Sequence, residues 1–235
     1  MGIRDDYFTY AGTDSTSYGG IIETRPSYTA PTRVVEKFSV RGRSGDLIID
    51  TGSYENVERT YKIFVPYANI SDFINLLKGQ VGYQRLEDTY EADVYRKAAC
   101  INAFETFNIF DDFGEAEVTF DCKPQRYLKS GETAITYTTS GQTLYNYYEE
   151  ALPLITINGS GNITFSINNN SASITGVSSS ITLDAETQNC YRGTINLNNT
   201  VTLTNNFPVL EKGANAISWT GTVSSVVITP RWWKL

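Results

Sequence analysis

Apolar and polar residues alternate in two short runs near the start of the chain, on either side of a turn. Phe38 and Val40 belong to the first run, and Leu47 and Ile49 belong to the second. An apolar residue at every second position predicts a strand with one apolar face. The pattern therefore predicts a β-hairpin.

The predicted turn carries charge as well as glycine. Gly42 and Gly45 can adopt the positive φ angles of a tight reversal, and Asp46 can accept hydrogen bonds from nearby backbone. Arg41 and Arg43 add two positive charges. A solvated hairpin tip and a contact surface for another subunit both fit this composition. A second turn is predicted across residues 51–56, before alternation resumes at Tyr61, Ile63 and Val65.

One segment, from Ser71 to Gly79, has the pattern of a helix. Ser71 can cap the first free amides, and Gly79 can end the helix in a left-handed conformation. Phe73, Ile74 and Leu77 would pack on a sheet. The remainder of the first half is predicted to be β.

The second half predicts short strands separated by Gly, Asn and Ser. These strands are Leu154–Ile157, Ile163–Ile167, Ile181–Leu183, Ile195–Leu197, Val201–Leu203, Ala216–Trp219 and Val223–Ile228, with a turn at Gly159-Ser160-Gly161. Regular spacing of this kind is typical of a jelly-roll β-sandwich. We therefore predict an all-β protein with one short helix, comprising domain 1–130, a linker at 131–150 and domain 151–235.

Composition excludes several classes of function. The 235-residue chain has a net charge of −7 and no histidine. Its acidity argues against a surface that neutralises nucleic-acid phosphates. The lack of histidine removes Ser-His-Asp triads, Cys-His pairs and histidine-containing metal sites. No leader and no apolar run long enough to span a membrane is seen, so assembly in a cytoplasm is expected.

Cysteines and carboxylates offer little support for catalysis. Cys100, Cys122 and Cys190 are predicted to be buried apolar residues. A glycosidase requires only two opposed acids, and the sequence contains two acidic clusters, Glu87/Asp88/Glu91/Asp93 and Asp111/Asp112/Glu115/Glu117. Both clusters are predicted to lie in exposed connections. We expect no enzymatic activity, no cofactor and no metal, although a carboxylate glycosidase stays open as an alternative.

The order of several motifs resembles the N-terminal domain of the distal tail (Dit) proteins of long-tailed phages. The motifs are Ser17-Tyr18-Gly19-Gly20-Ile21, Val40-x-Gly42-Arg43-x-Gly45-x-Leu47, Gly52-x-Tyr54-x-Asn56, Gly82-Tyr83-x-x-Leu86, Tyr95-Arg96-Lys97-Ala98 and Phe120-Asp121-Cys122-Lys123-Pro124-Gln125-Arg126-Tyr127.

The second half resembles the galectin-like C-terminal domain of the same family. Its motifs are Pro153-Leu154-Ile155-Thr156-Ile157-x-Gly159-Ser160-Gly161, Leu183-Asp184, Phe207-Pro208-x-Leu210-x-x-Gly213-x-Asn215-x-Ile217 and Pro230-Arg231-Trp232-Trp233. The resemblance covers nearly the whole chain and implies the minimal, two-domain form. It implies an N-terminal β-sandwich or split barrel followed by a galectin-like β-sandwich.

The resemblance also implies a role. A Dit protein forms a hexameric hub at the tail tip of the virion, between the tail tube and the adsorption apparatus. Its implied partners are the tail tube protein, the tail-associated lysin or tape-measure end, and receptor-binding proteins. The charge and position of the turn suit a contact between subunits or between rings, which we predict at Arg41, Gly42, Arg43, Gly45 and Asp46.

A carbohydrate-binding adhesin that recognises the host cell wall is the alternative. In that case Trp219 and Trp233 could stack on a sugar. A galectin-type sugar site requires histidine, which this chain lacks, so the fold alone cannot transfer that activity.

Overall fold

Strands dominate the computed structural model, which describes residues 6–110 and 113–235, with the side chains of 106–110 and 113 left undescribed. The chain divides into two compact units, Met1–Arg126 with Leu235, and Tyr127–Lys234. The predicted linker, 131–150, lies within the second unit. Only one α-helix occurs in the described ranges, and the predicted all-β fold class is confirmed.

The first unit contains a sheet of antiparallel strands, a separate two-stranded hairpin and the helix. Its strands are β1 (Phe8–Tyr10), β2 (Thr13–Asp14), β3 (Ile21–Thr24), β4 (Arg33–Ser39), β5 (Asp46–Tyr54), β6 (Val57–Pro66), β7 (Gln84–Asp88), β8 (Val94–Ala99), β9 (Thr106–Phe110) and β10 (Phe113–Cys122). Along the sheet the order is β2-β1-β7-β8-β10-β6-β3, and β9 also pairs with β10.

Aromatic side chains fill the core of this unit. The ring centroid of Phe8 lies 5.1 Å from that of Tyr61 and 5.4 Å from that of Phe120. Tyr10 approaches Phe120 at 4.9 Å, and Phe73 of the helix completes the cluster. Alternation along β6 supplies this core, because every second residue from Arg59 to Val65 is buried.

The helix α1 (Ile70–Lys78) begins one residue before its predicted start. Phe73 and Leu77 are buried as predicted, whereas Ile74 is half-buried and Leu76 is buried in its place. The predicted caps are wrong. Ser71 lies inside the first turn, and Gly79 has φ −74°, so the helix does not end in a left-handed residue.

The second unit consists of strands joined by short turns. They are β11 (Arg126–Leu128, which starts at the unit boundary), β12 (Ile135–Tyr137), β13 (Gln142–Asn146), β14 (Leu154–Ile167), β15 (Asn170–Val177), β16 (Ser180–Asp184), β17 (Asn189–Arg192), β18 (Ile195–Asn196), β19 (Val201–Thr204), β20 (Gly213–Thr229) and β21 (Trp233–Lys234).

Two long strands, β14 and β20, run through the whole of this unit. The first half of β14 pairs with β16, and its second half pairs with β15. Strand β20 follows β14 along both halves. The predicted turn at residues 159–161 is therefore wrong, because the chain bends there and continues as one strand. Likewise, the strands predicted at 216–219 and 223–228 are two parts of β20.

The bend depends on glycines that let two backbones approach. A Cβ on Gly159 would lie 2.3 Å from the carbonyl oxygen of Thr222. A Cβ on Gly221 would lie 2.4 Å from the carbonyl oxygen of Asn162. The register of the two long strands also shifts at this point, as it does where a bulge bends paired strands.

The cysteines are free and buried, as predicted. Cys100 and Cys122 belong to the core of the first unit. Burial raises the pKa of Cys122 to about 12 and that of Cys190 to about 11. All three thiols are therefore protonated and shielded at neutral pH.

Candidate functional site

The β4–β5 hairpin is the most unusual surface of the first unit. Neither strand pairs with any other strand in the described residues. Across the hairpin Phe38 pairs with Leu47, and Glu36 pairs with Ile49. Lys37 pairs with Ile48 on the opposite face. The predicted strand, turn and strand are confirmed, and β4 begins five residues before Phe38.

One face of this hairpin carries four uncovered apolar residues beside Glu36, which pairs with Ile49. Phe38, Leu47 and Ile49 are 46%, 42% and 48% exposed, and Val40 continues their alternation into the turn. We call these four residues the apolar face. Covering side chains that are about half exposed would contribute about 1 kcal/mol each. A contiguous exposed apolar surface of this kind is typical of a protein–protein contact.

The turn at the tip has the geometry that its glycines predict. The amide of Arg43 donates to the carbonyl oxygen of Val40 at 3.1 Å, which closes a four-residue turn. Gly42 and Gly45 have φ angles of 83° and 82°. Every residue from Arg41 to Asp46 is exposed. Neither arginine forms an ion pair with any carboxylate in the described chain, so both are available to another molecule.

The second predicted turn is partly wrong. Strand β5 continues to Tyr54, and Gly52, at φ 76°, forms a bulge opposite Val34. The amide of Gly52 donates to Asp50 at 2.9 Å. Arg33 bonds both Asp50 and the hydroxyl of Tyr54. The true turn comprises only residues 55–56.

The base of the hairpin is held firmly. The side-chain amide of Asn56 donates to the Tyr83 hydroxyl at 2.6 Å and to Asp121 at 2.8 Å. The amide of Glu55 donates to the carbonyl oxygen of Thr32 at 2.9 Å. Hydrogen bonds therefore hold the base of the hairpin in place.

A buried network of charges supports β6, the strand that follows the hairpin. Arg59 donates to Asp88 at 2.8 Å, and the Tyr61 hydroxyl donates to the same oxygen at 2.7 Å. Glu91 accepts hydrogen bonds from Arg96 and, at 2.8 Å, from Arg126. This network links β6, β7 and β8 with the segment that leads out of the unit.

The network changes the pKa values of its acids. Burial alone would raise the pKa of Asp88, but hydrogen bonds from Tyr61 and Arg59 outweigh burial and lower it. For Glu91 burial is likewise outweighed by Arg96 and Arg126, so its pKa is also lowered. Both acids are thus held as carboxylates, which suits ion pairing and not proton donation.

The prediction that the first acidic cluster lies in an exposed connection is partly wrong: Glu91 and Asp93 lie between β7 and β8 and Asp93 is exposed, but Glu87 and Asp88 belong to β7. Asp88 ends β7 with a fully buried side chain, and Glu91 is largely buried. Of the second cluster, Asp111 and Asp112 lie outside the described residues. Within the described ranges no group of acids or cysteines could hold a metal ion, and no helix is long and apolar enough to cross a membrane.

The two tryptophans predicted as sugar contacts, Trp219 and Trp233, lie on different strands of the second unit and have different hydrogen-bond partners. Trp219 is half-buried on β20, and Ser140 bonds both its amide and its carbonyl oxygen. Trp233 is half-buried, and its indole donates to the carbonyl oxygen of Glu150 at 2.8 Å. Neither lines the cavity beside Asp184 and Tyr191, the cavity beside Arg192 or the cavity beside Cys190. Their role in sugar binding stays a prediction.

Sequence reasoning missed the charge network, although a signal for it exists. Arg59 stands two residues before Tyr61 in the alternation that continues to Ile63 and Val65. An arginine in phase with buried residues is expected to face the core and to need a carboxylate there. Asp88 has the same relation to Leu86 on β7.

The fold of the two all-β units is that of phage tail-hub proteins of the Dit type. The chain is similar to the solved structure of phage SPP1 Dit (gp 19.1), described as a paradigm of the hub adsorption apparatus in phages that infect Gram-positive bacteria. The TM-score is 0.76 at 13% identity, over 97% of this chain and 98% of that one.

A second structure, the phage P2 baseplate in its activated conformation with Ca, is similar at a TM-score of 0.58. Its identity is 13%, and the match covers 98% of both chains. No family model matches the sequence, and neither does any curated protein. The similarity therefore establishes the fold, and the predicted Dit-like architecture is confirmed over nearly the full length.

Proposed function

We propose that this protein is a non-catalytic structural component of a phage tail tip, where it acts as a hub of the Dit type. The observation that carries this proposal is the full-length similarity to SPP1 Dit. The protonated thiols and the ion-paired buried acids add no catalytic group that would argue for another role.

The hub is a closed ring of six copies, and the hairpin is the element that joins them. A ring requires a head-to-tail contact, in which one surface of a subunit meets a different surface of the next. The hairpin's apolar face and the arginines of its tip are exposed on the single chain. Both would be covered by a neighbouring subunit, with Arg41, Gly42, Arg43, Gly45 and Asp46 at the contact.

In this role the ring joins the distal end of the tail tube to the adsorption apparatus. Its neighbours would be the tube protein, the tail-associated lysin or tape-measure end, and receptor-binding proteins. The net charge of −7 suits a protein beside a DNA conduit, because like charges do not retain the DNA.

The location can be tested on particles of the phage that encodes the chain. An antibody raised against the purified protein should label the distal end of the tail in electron micrographs. Labelling along the tube or on the capsid, or no labelling of any particle, would overturn the proposal. Particles treated with pre-immune serum provide the control.

A further inference from the structure

A cavity in the second unit contains an arginine without a carboxylate beside it. The cavity has a volume of about 250 Å³ and lies between the end of β15, the start of β16 and the β17–β18 hairpin. Arg192, the last residue of β17, is the one charged group among its described lining residues. Every lining residue belongs to this unit.

Strand geometry directs Arg192 into this cavity. Cys190 is buried on the inner side of β17, and residues two apart on a strand share a side. Tyr191 faces the other way and lines a different cavity. Gly193, at φ 56°, then reverses the chain. Arg192 therefore lines the cavity from the end of β17.

The bonding of Arg192 differs from that of the other partly buried arginines. Its Nη1 donates to the hydroxyl oxygen of Ser178, and it has no ion pair in the described chain. Arg231, in contrast, lies 2.6 Å from Asp184 and 3.6 Å from Glu186. A guanidinium whose bonded partner is neutral retains most of its attraction for an anion.

Hydroxyl groups line the same cavity as this guanidinium. The hydroxyls of Thr175 and Thr200 donate to backbone carbonyl oxygens, at 3.3 and 2.8 Å, and keep their oxygens free to accept. The side-chain hydroxyl of Ser180 has no hydrogen-bond partner among the described residues, and Ser178 can still donate its own proton. The cavity thus offers the guanidinium of Arg192, the hydroxyl donors of Ser178 and Ser180, and several hydrogen-bond acceptors.

The size of the cavity indicates a ligand larger than a simple anion. At roughly 30 Å³ per water molecule, 250 Å³ corresponds to about eight waters. The cavity beside Arg59, Arg96 and Arg126 in the first unit is only about 20 Å³. Those arginines already face Asp88 and Glu91, so that cavity lacks both the room and the free charge.

We propose that the Arg192 cavity binds a polyol phosphate, that is, a phosphate ester of a small polyhydroxylated group such as glycerol or a sugar. The guanidinium fork and the two serine hydroxyls would hold the phosphate oxygens. Thr175 and Thr200 would accept hydrogen bonds from the ligand's hydroxyls. This site is independent of ring assembly and uses neither predicted tryptophan.

Titration of the full-length protein with glycerol 3-phosphate, followed by calorimetry or ligand-observed NMR, tests the site. We expect binding that Arg192→Gln weakens at least about tenfold, because a charge-assisted pair is lost. Arg192→Lys should retain part of the affinity. Arg25→Gln removes the same charge from an exposed position outside both proposed sites and should bind like the wild type. Thermal unfolding of each variant shows whether it is folded.

The outcomes are distinct. No binding of glycerol 3-phosphate, or equal binding by wild type and a folded Arg192→Gln variant, would overturn the site. Equal affinity for inorganic phosphate would overturn the polyol assignment, and tighter binding of glucuronate would overturn the phosphate assignment. Binding of the diester glycerophosphoglycerol would support a polymeric source, and binding of the monoester alone would support a small soluble one. Light scattering on Arg192→Gln should show unchanged assembly.

Discussion

Phe38 on β4 and Leu47 on β5 lie directly opposite each other in the hairpin. Within the described chain, β4 and β5 pair only with each other. Both side chains are nearly half exposed, although their alternation is that of a face built for burial. The two strands of the hairpin are therefore paired with each other, but its apolar side chains lack packing partners. A neighbouring molecule would supply the missing contact.

The two faces of the hairpin should respond differently to the same substitution. Ile49→Asp replaces an apolar side chain with a second acid opposite Glu36 and should weaken ring assembly at least about tenfold, because apolar contact area is lost and a further charge would have to be desolvated there. Ile48→Asp, on the face shared with Lys37, should leave assembly nearly unchanged although Ile48 is more exposed. Sedimentation of both variants over a concentration series measures the difference. Loss of assembly in both, or in neither, would contradict the assignment of the faces.

The tip should contribute electrostatically to the same contact. Arg43→Glu should weaken assembly, and Arg43→Lys should preserve most of it. Because exposed charges are screened by salt, the wild-type ring should also dissociate more readily as ionic strength rises, and the Arg43→Glu variant should lose part of that dependence. Light scattering at low and high salt measures both effects. Normal, equally salt-dependent assembly of Arg43→Glu would exclude a role for this residue.

The hairpin could be predicted from sequence because its signal is local. Alternation and glycine turns act over a few residues, so Phe38, Leu47 and the turn between them were accessible. Gly159 shows the limit of such signals. The same glycine pattern is compatible with a turn or with a bent strand, and the choice depends on Gly221, more than sixty residues away. The network of Arg59 and Asp88 likewise depends on which strands become neighbours.

Removing one member of the buried ion network should destabilise the first unit strongly. Arg59→Met leaves the carboxylate of Asp88 buried with only Tyr61 and backbone amides as partners. Breaking such a pair costs about 3–5 kcal/mol. The double variant Arg59→Met/Asp88→Leu should lose less free energy of unfolding than the sum of the single variants. Urea unfolding of the four proteins measures the coupling, and simple additivity would contradict it.

The same network should make the free energy of unfolding decrease at acidic pH. The native pKa values of Asp88 and Glu91 lie below the ordinary 3.8 and 4.5. The unfolded chain therefore takes up protons first as pH falls, and the free energy of unfolding should decline from about pH 5 downwards. Asp88→Asn should flatten this decline, whereas Glu117→Gln, at an exposed carboxylate, should not. Unfolding midpoints measured across acidic pH give the slopes.

The bend of the long strands should tolerate no side chain at Gly221. Its φ is 99°, and an added Cβ would meet the carbonyl oxygen of Asn162 at 2.4 Å. Gly161 also has positive φ, at 77°, but a Cβ there would meet nothing within 4 Å. Gly161→Ala should cost about 1–2 kcal/mol for the backbone conformation alone, and Gly221→Ala should cost clearly more. Equal unfolding midpoints would contradict the close approach.

The cysteines should resist modification in the folded protein. Burial raises the pKa of Cys122 to about 12 and that of Cys190 to about 11, so little thiolate forms at pH 8 and reagents cannot reach it. Ellman's reagent should report almost no reaction in buffer and three thiols after denaturation. Rapid reaction of the native protein would show that a thiol is accessible.

The mass of the purified wild-type chain in solution tests the central claim most directly. Light scattering over rising concentration should approach the mass of six copies of the 26.2 kDa chain, about 157 kDa, because the apolar face of each hairpin is then covered by a neighbour. A mass that stays at that of one chain up to the highest concentration would contradict the account.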